Sequence, residues 1–175
     1  MKTKTLILLV IIVAAIVAAV LTMKPAQRTE MASVGMVTPD FELFDLNRSK
    51  SSLSDMKGSV VFVNFWSTWC TSCVDELPSI EQMHRNFAGS PSFRVVTILY
   101  KDDLNRALNY MKQNGFTFPV YLNPDESAAK IFGITGIPET FIIDKKGVLR
   151  HKVIGPADWD NPHALKFFES LISES

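Results

Sequence analysis

The stretch VVFVNFWSTWCTSC, residues 60–73, decides how the rest of the chain is interpreted. Its first half, Val60–Trp66, is a run of β-branched and aromatic residues with Asn64 as the one exception, which is typical of a strand buried on both faces. Its second half ends in the only two cysteines of the sequence, Cys70 and Cys73. Their spacing places both within one turn of a helix that begins where the strand ends.

Strand and helix patterns alternate on either side of this stretch, and this alternation predicts a parallel sheet, to which a closing hairpin adds an antiparallel part. We therefore predict an α/β fold with a central mixed sheet, Val60–Trp66 in its middle, and helices on both faces. The predicted elements are a short strand within 41–46, a turn at 53–58, helix 71–87, strand 93–99, helix 102–114 ending at Gly115, strand 118–122, helix 127–132, a hairpin of strands 140–143 and 148–154 with Gly147 in its turn, and helix 161–172.

An apolar run without charge or proline occupies Leu6–Thr22, and Lys2 and Lys4 precede it. This order is typical of a signal sequence or signal anchor, and the length is at the short end of what crosses a bilayer as a helix. A helix of a globular core would show a polar face, which this one lacks. We predict that residues 1–22 are an uncleaved transmembrane anchor. A cleaved signal peptide is the alternative, because residues 17–19 are small.

Residues 23–36 are polar and interrupted by proline and glycine, which predicts a linker before a single domain at residues 37–175. A weak positive-inside bias places the N-terminus in the cytoplasm and the domain in the periplasm or outside the cell. The chain has 18 basic and 18 acidic residues, and without Lys2 and Lys4 this leaves 16 against 18. Since no basic cluster stands out, we expect no nucleic acid partner.

The cysteine pair predicts redox chemistry. Cys70 would lie at the N-terminal edge of the helix, where free N–H groups and the helix dipole favour a thiolate. Cys73, one turn further, would be covered and suited to resolve a mixed disulfide. A structural disulfide is disfavoured because so short a loop constrains the unfolded chain little. A zinc site is disfavoured because two cysteines are too few and no histidine stands at ligand spacing, so we expect neither metal nor cofactor.

Several segments resemble a known family. Residues 65–73 resemble the active-site segment of thioredoxin-like proteins, and Pro78 stands where that family's active-site helix carries a kinking proline. The segment GIPETF, residues 136–141, resembles the loop whose proline, here Pro138, is cis and lies against the disulfide. The resemblance covers about residues 37–172 and implies a thioredoxin-like fold with a redox-active disulfide.

Within that family the sequence is most similar to the membrane-anchored TlpA/ResA/CcmG branch. The similarity rests on the segments PDFEL at 39–43, VNFW at 63–66 and PETF at 138–141, and on the added strand and helix between residues 93 and 132. The resemblance implies a thiol:disulfide oxidoreductase that reduces protein disulfides during cytochrome c maturation. Its client would be a disulfide-containing protein such as apocytochrome c, and its electron donor a membrane-embedded thiol reductant.

One position departs from thioredoxin, which carries a buried aspartate six residues before its first cysteine. This chain has Asn64 there, and an amide cannot accept and return a proton. Glu76 follows Cys73 by three residues on the same helical face, so we predict that it handles the proton and has a raised pKa. The ResA branch has a glutamate at this spacing. The alternative is a solvated acid that stabilises the first helical turn, the role we assign to Asp75.

Three supporting residues carry two interpretations each. Trp69 limits water access to the reactive thiol, or it only packs in the core. Pro138 is cis by family resemblance, whereas an Ile-Pro bond in general is more often trans. Glu139 borders the groove that binds a partner, or it is an exposed edge residue.

Two other functions remain as alternatives. The PDFEL opening also resembles thiol peroxidases of the AhpC/TSA type, which need a threonine three residues before the peroxidatic cysteine and a proline four before that. Relative to Cys70 these positions hold Ser67 and Val63. A copper-delivering thiol module of the Sco type carries a site that resembles Cys-x-x-x-Cys with a distant histidine. The two-residue spacer between Cys70 and Cys73 disfavours this function.

Overall fold

The computed structural model describes residues 7–9, 11–15, 17 and 30–174. Within residues 30–174 the chain forms, in order, β1 (Glu42–Phe44), β2 (Lys50–Ser52), a short 3-10 helix (Leu53–Met56), β3 (Val60–Trp66), α1 (Thr71–Asn86), β4 (Phe93–Leu99), α2 (Leu104–Asn114), β5 (Val120–Tyr121), α3 (Ser127–Phe132), β6 (Glu139–Ile143), β7 (Leu149–Ile154) and α4 (Pro162–Ser173).

The main sheet has the strand order β5-β4-β3-β6-β7. Strand β3 pairs in parallel with β4 and antiparallel with β6, and β7 closes the sheet as the antiparallel partner of β6. All seven residues of β3 are buried, as expected for a strand covered on both faces. The predicted mixed sheet with this strand at its centre is confirmed.

The two faces of β3 belong to two separate hydrophobic clusters. Phe62 and Trp66 pack with apolar side chains of α1, α2 and α4, whereas Val61, Val63 and Phe65 pack against α3 and β1. Burying each such side chain contributes about 1.5–3 kcal/mol. Helices therefore cover both faces, as predicted, and the polar Asn64 is carried into the interior on the face toward α1.

Glycine ends α2 and forms the β6–β7 turn as the sequence predicts. Gly115 is the C-cap of α2 with a φ of 69°, and Gly147 has a φ of 82°. These left-handed conformations are open to glycine because it has no Cβ.

The strand β2 and the 3-10 helix were not among the predicted elements, which had only a turn at 53–58. Strand β2 has the sequence KSS, which shows no apolar alternation, and it is held by antiparallel pairing with β1. A salt bridge between Lys50 and Glu42 (2.6 Å) joins the two strands. Pairing with a neighbour thus outweighs a weak local preference for strand.

The predicted anchor falls largely outside the described residues, although 7–9, 11–15 and 17 are helical. Among the residues that are described, no helix has the length and apolarity needed to cross a membrane. The last part of the predicted linker lies against the domain. The amide of Ala32 donates to the carbonyl of Ile131 at 2.7 Å, and that of Gly35 donates to the carbonyl of Leu149 at 2.8 Å.

Candidate active site

Cys70 and Cys73 form a disulfide at the start of α1, with a Cα–Cα distance of 5.2 Å. Cys70 is the N-cap residue, and its Sγ accepts a hydrogen bond from the backbone N–H of Cys73 at 3.2 Å. Cys70 is 8% exposed, whereas Cys73 is completely buried. The positive end of the helix and a directed N–H group thus face the more accessible sulfur, which favours a thiolate there once the disulfide is reduced.

The loop before β6 borders this sulfur. The Ile137–Pro138 bond is cis, so the trans alternative is wrong. The carbonyl oxygen of Ile137 lies 3.5 Å from the Sγ of Cys70. The carbonyl of Pro138 accepts from the amide of Gly155 at 2.9 Å, which ties the loop to the end of β7.

Glu76 lies inside the protein and is only 3% exposed. Its Oε1 accepts from Nδ2 of Asn64 at 2.8 Å, and its Oε2 accepts from the amide of Ala157 at 3.1 Å and from Nε1 of Trp159 at 3.2 Å. Burial raises the pKa of Glu76, and the three donors lower it by less than burial raises it. The interpretation as a solvated acid is therefore wrong for Glu76, while Asp75 is exposed.

Asn64 connects Glu76 to the sheet. Its Nδ2 also donates to Oγ1 of Thr140 on β6 at 2.8 Å. Its Oδ1 is buried without a hydrogen-bond partner among the described residues. An unpaired buried acceptor is uncommon in folded proteins, and here it lies in the same polar pocket as a carboxylate with a raised pKa.

The sequence did not single out Trp159, Ala157 or Thr140, and each follows Glu76 by 64 to 83 residues. Trp159 is 5% exposed and makes an edge contact with Phe62 at 4.9 Å between ring centroids. Its position among polar residues (DWDN, 158–161) is the local signal of an aromatic side chain anchored in the domain. Nothing in the local sequence indicated which carboxylate its N–H would contact.

An open groove of about 550 Å³ runs beside Glu76, between α1 and the loop after β7. Pro78 and Gln82 line its α1 side, and Pro156 and Asp158 line the other. Glu76 is itself among the residues that line the groove.

Trp69 is 55% exposed, so its interpretation as a core residue is wrong. Its indole N–H nevertheless has a fixed partner, because Nε1 donates to the carbonyl of Lys101 at 3.0 Å. The ring therefore presents its apolar surface to solvent next to the disulfide.

Glu139 is fully buried beside the cis proline, so its interpretation as an exposed edge residue is wrong. Its Oε2 forms a salt bridge with Nζ of Lys152 at 2.8 Å, and its Oε1 accepts from the amide of Thr135 at 3.2 Å. The carboxylate thus ties the loop that carries Pro138 to strand β7.

Within the described part of the chain, no group of three or more His, Cys, Asp or Glu side chains is arranged to hold a metal ion. The site consists of a disulfide, a buried carboxylate with its donors, and a loop that lies against the accessible sulfur. Such an arrangement can carry out thiol–disulfide exchange with proton transfer at the buried thiol.

Comparisons with known proteins agree with this chemistry. The model of the AhpC/TSA family matches residues 34–152. Thiol-disulfide oxidoreductase ResA of Bacillus subtilis strain 168 is 35% identical over 126 residues, which cover 72% of this chain and 70% of ResA.

Solved structures show the same likeness. A thiol:disulfide interchange protein DsbE from Chlorobium tepidum has a TM-score of 0.65 at 28% identity, covering 81% of this chain and 96% of its own. StoA from Bacillus subtilis has a TM-score of 0.61 at 25% identity, covering 79% and 98%. The chain therefore belongs to the AhpC/TSA family, among its thiol-disulfide oxidoreductases of thioredoxin-like fold.

Proposed function

We propose that this protein reduces disulfides of client proteins outside the cytoplasm through the dithiol form of Cys70 and Cys73. The observation that carries the proposal is the asymmetry of the pair. Cys70 caps α1 and is 8% exposed, while Cys73 is completely buried on the helical face that carries Glu76. The sulfur of Cys70 is thus positioned to attack a client disulfide, and the sulfur of Cys73 to release the client from the mixed disulfide.

The exchange proceeds in two displacements. The Cys70 thiolate attacks one sulfur of the client disulfide, which forms a mixed disulfide and expels the first client thiolate. Cys73 then gives its proton to the carboxylate of Glu76 and attacks the Sγ of Cys70, which closes the Cys70–Cys73 disulfide and expels the second client thiolate. The client gains two electrons, each client thiolate takes up a proton, and an upstream thiol reductant restores the dithiol.

For the client we propose the heme-attachment cysteines of apocytochrome c, with a membrane-embedded thiol reductant as the electron donor. The support is the resemblance to the TlpA/ResA/CcmG branch and the similarity to proteins named ResA and DsbE. For the location we propose a single-pass membrane protein whose domain faces the periplasm or the cell exterior. Its support is the apolar run at residues 6–22 and the lysines before it.

The equilibrium reduction potential of the protein, measured in glutathione or dithiothreitol buffers, tests the proposed direction of electron flow. A value near that of thioredoxin, about −270 mV, is expected for a reductase. A value near that of DsbA, about −120 mV, would mean that the protein oxidises its clients instead.

A thiol peroxidase is the second candidate, because the matching family model carries the AhpC/TSA description. Ser67 and Val63 stand where that activity needs threonine and proline, and the Oγ of Ser67 is buried without a hydrogen-bond partner in the described residues. Turnover of hydrogen peroxide by the reduced protein at rates comparable to its disulfide exchange would favour the peroxidase.

A further inference from the structure

The loop between β4 and α2, residues 100–103, holds the segment that leads from β3 to Cys70. The amide of Tyr100 donates to the carbonyl of Trp66 at 2.9 Å. The amide and the hydroxyl of Thr68 both donate to Oδ2 of Asp102, each at 2.6 Å. With the bond from Trp69 to Lys101, contacts from this loop reach three of the four residues that precede Cys70.

The carboxylate of Asp102 is a strong acceptor for these bonds. Its side chain is 1% exposed, and its other oxygen accepts from the amide of Asp103 at 2.7 Å. Burial alone would raise the pKa of Asp102, but the hydrogen bonds from Thr68 and Asp103 outweigh it and hold the pKa below its ordinary value. The group is therefore ionised at neutral pH, and hydrogen bonds to an ionised acceptor are stronger than neutral ones.

Lys101 adopts a backbone conformation that is unusual for its residue type. Its φ is 50°, in the left-handed region that residues with a Cβ seldom occupy. Its carbonyl is the acceptor for Nε1 of Trp69. The strained residue is thus the one whose backbone fixes the indole, and strain of this kind is concentrated at functional sites.

Trp69 differs from the other two tryptophans of the chain. Trp66 is completely buried and Trp159 is 5% exposed, whereas Trp69 is 55% exposed with its only polar atom already bonded. What it offers to a partner is an apolar ring whose orientation is set in advance. Rigid aromatic side chains of this kind carry much of the affinity at protein interfaces, because little conformational freedom is lost on binding.

We propose that Asp102 and the backbone carbonyl of Lys101 are positioning groups that hold the Trp69 ring as a rigid contact for the client polypeptide beside Cys70. The inference rests on the proposed reductase function and adds the residues that recognise a protein client. We therefore expect loss of the Asp102 carboxylate to impair disulfide exchange with a polypeptide much more than exchange with a small disulfide.

The experiment compares Asp102→Asn with Asp103→Asn in the full chain. Asp103 is a matched control, because it caps α2 by accepting from the amide of Arg106 at 2.9 Å and has no bond to the active-site segment. The two substrates are insulin, a polypeptide with disulfides, and hydroxyethyl disulfide. For Asp102→Asn we expect kcat/KM on insulin to fall about tenfold, mainly through KM, with hydroxyethyl disulfide changed less than about twofold. Asp103→Asn should match wild type on both.

Trp69→Phe is the second variant and remains informative if Asp102→Asn does not fold. It keeps an aromatic ring but removes the N–H that binds Lys101, so it should show the same selective loss on insulin. Equal losses on both substrates, or no loss on insulin, would overturn the inference.

The fluorescence anisotropy of Trp69 separates this inference from the proposed function. Because Trp66 and Trp159 also emit, the signal of Trp69 is taken as the difference between a protein with Trp69 and its Trp69→Phe counterpart. Asp102→Asn should lower the anisotropy of this difference signal, and the measurement needs no activity. An unchanged anisotropy would overturn the positioning role even in an active enzyme. Failure of the wild-type protein to reduce insulin, with a lowered anisotropy in Asp102→Asn, would overturn the reductase proposal and leave the positioning role supported.

Discussion

Replacing Glu76 with glutamine should slow the closing step of disulfide exchange about 100-fold near neutral pH, the range expected for loss of a general base. The carboxylate shares its helical face with Cys73 and has its pKa raised by burial. We propose that it accepts the proton of the buried Cys73 thiol and later returns it. An amide of the same shape cannot.

The same substitution should leave the fold intact. The glutamine oxygen can still accept from the amide of Ala157 and the indole of Trp159. The new NH₂ group faces Asn64, whose Oδ1 has no hydrogen-bond partner among the described residues and becomes the acceptor after a half-turn of its amide. We expect a change of less than about 2 kcal/mol in the free energy of unfolding. Glu76→Ala would instead remove the acceptor of three donors, and the buried indole N–H of Trp159 alone would cost about 1–3 kcal/mol.

The pH dependence of stability gives an independent signature of Glu76. Because burial raises its pKa, the folded protein holds this proton to a higher pH than the unfolded chain does. Its contribution to stability is fully present below the ordinary glutamate pKa and is lost as the pH rises through the raised value. Glu76→Gln has no group that titrates at this position. Its unfolding free energy, relative to that of the wild type, should therefore increase as the pH rises through that window.

The assay is a single-turnover reaction of the reduced protein with a peptide disulfide, followed against pH. Formation of the mixed disulfide by Cys70 should be unchanged in Glu76→Gln, and only its resolution by Cys73 should slow. Asp75→Asn is the matched control and should behave as wild type, because that side chain is exposed. If Glu76→Gln resolves at the wild-type rate across the whole range, Glu76 only fastens α1 to the loop after β7, and the proton goes directly to water.

Three further predictions concern the cysteine roles, the anchor and the cis-proline loop. Cys73→Ser should trap a mixed disulfide between Cys70 and a client, whereas Cys70→Ser should trap none; equal trapping on non-reducing gels would contradict the role assignment. Full-length protein should stay with membranes through alkaline carbonate washing, while a soluble mature chain beginning near Val20 would show a cleaved signal. Glu139→Ala should lower the unfolding free energy by about 2–3 kcal/mol in urea, because it removes a buried partner of Lys152; a change below about 0.5 kcal/mol would argue against that role.

Local patterns were sufficient to predict most of the fold. A run such as Val60–Trp66 has few alternatives to a buried strand, because all its side chains except that of Asn64 are apolar, on both faces. The spacing of Cys70 and Cys73 after that strand predicted the start of α1, and Gly115 marked where α2 ends. These features depend on neighbours within a few residues, so they can be inferred without knowing the packing.

The sequence predicted which residues form the candidate site, but not which groups surround them. The sequence identified Glu76 by its distance from Cys73, yet its burial depends on Asn64, Ala157 and Trp159, which lie 12, 81 and 83 residues away along the chain. Glu139 was assigned to a groove or an exposed edge, and the structure buries it in a salt bridge.

The sequence by itself determined which residues are apolar, where helices stop, and that two thiols stand one helical turn apart. Only the tertiary structure decided which polar groups lose contact with water and which donors they meet in exchange. The physical reason is that hydrophobic periodicity is a local property, whereas a buried carboxylate acquires its pKa and orientation from groups brought together by packing. For this protein the identity of the reactive pair, and the place of Cys70 at the start of the helix, were therefore local information, whereas the buried surroundings of Glu76 are non-local.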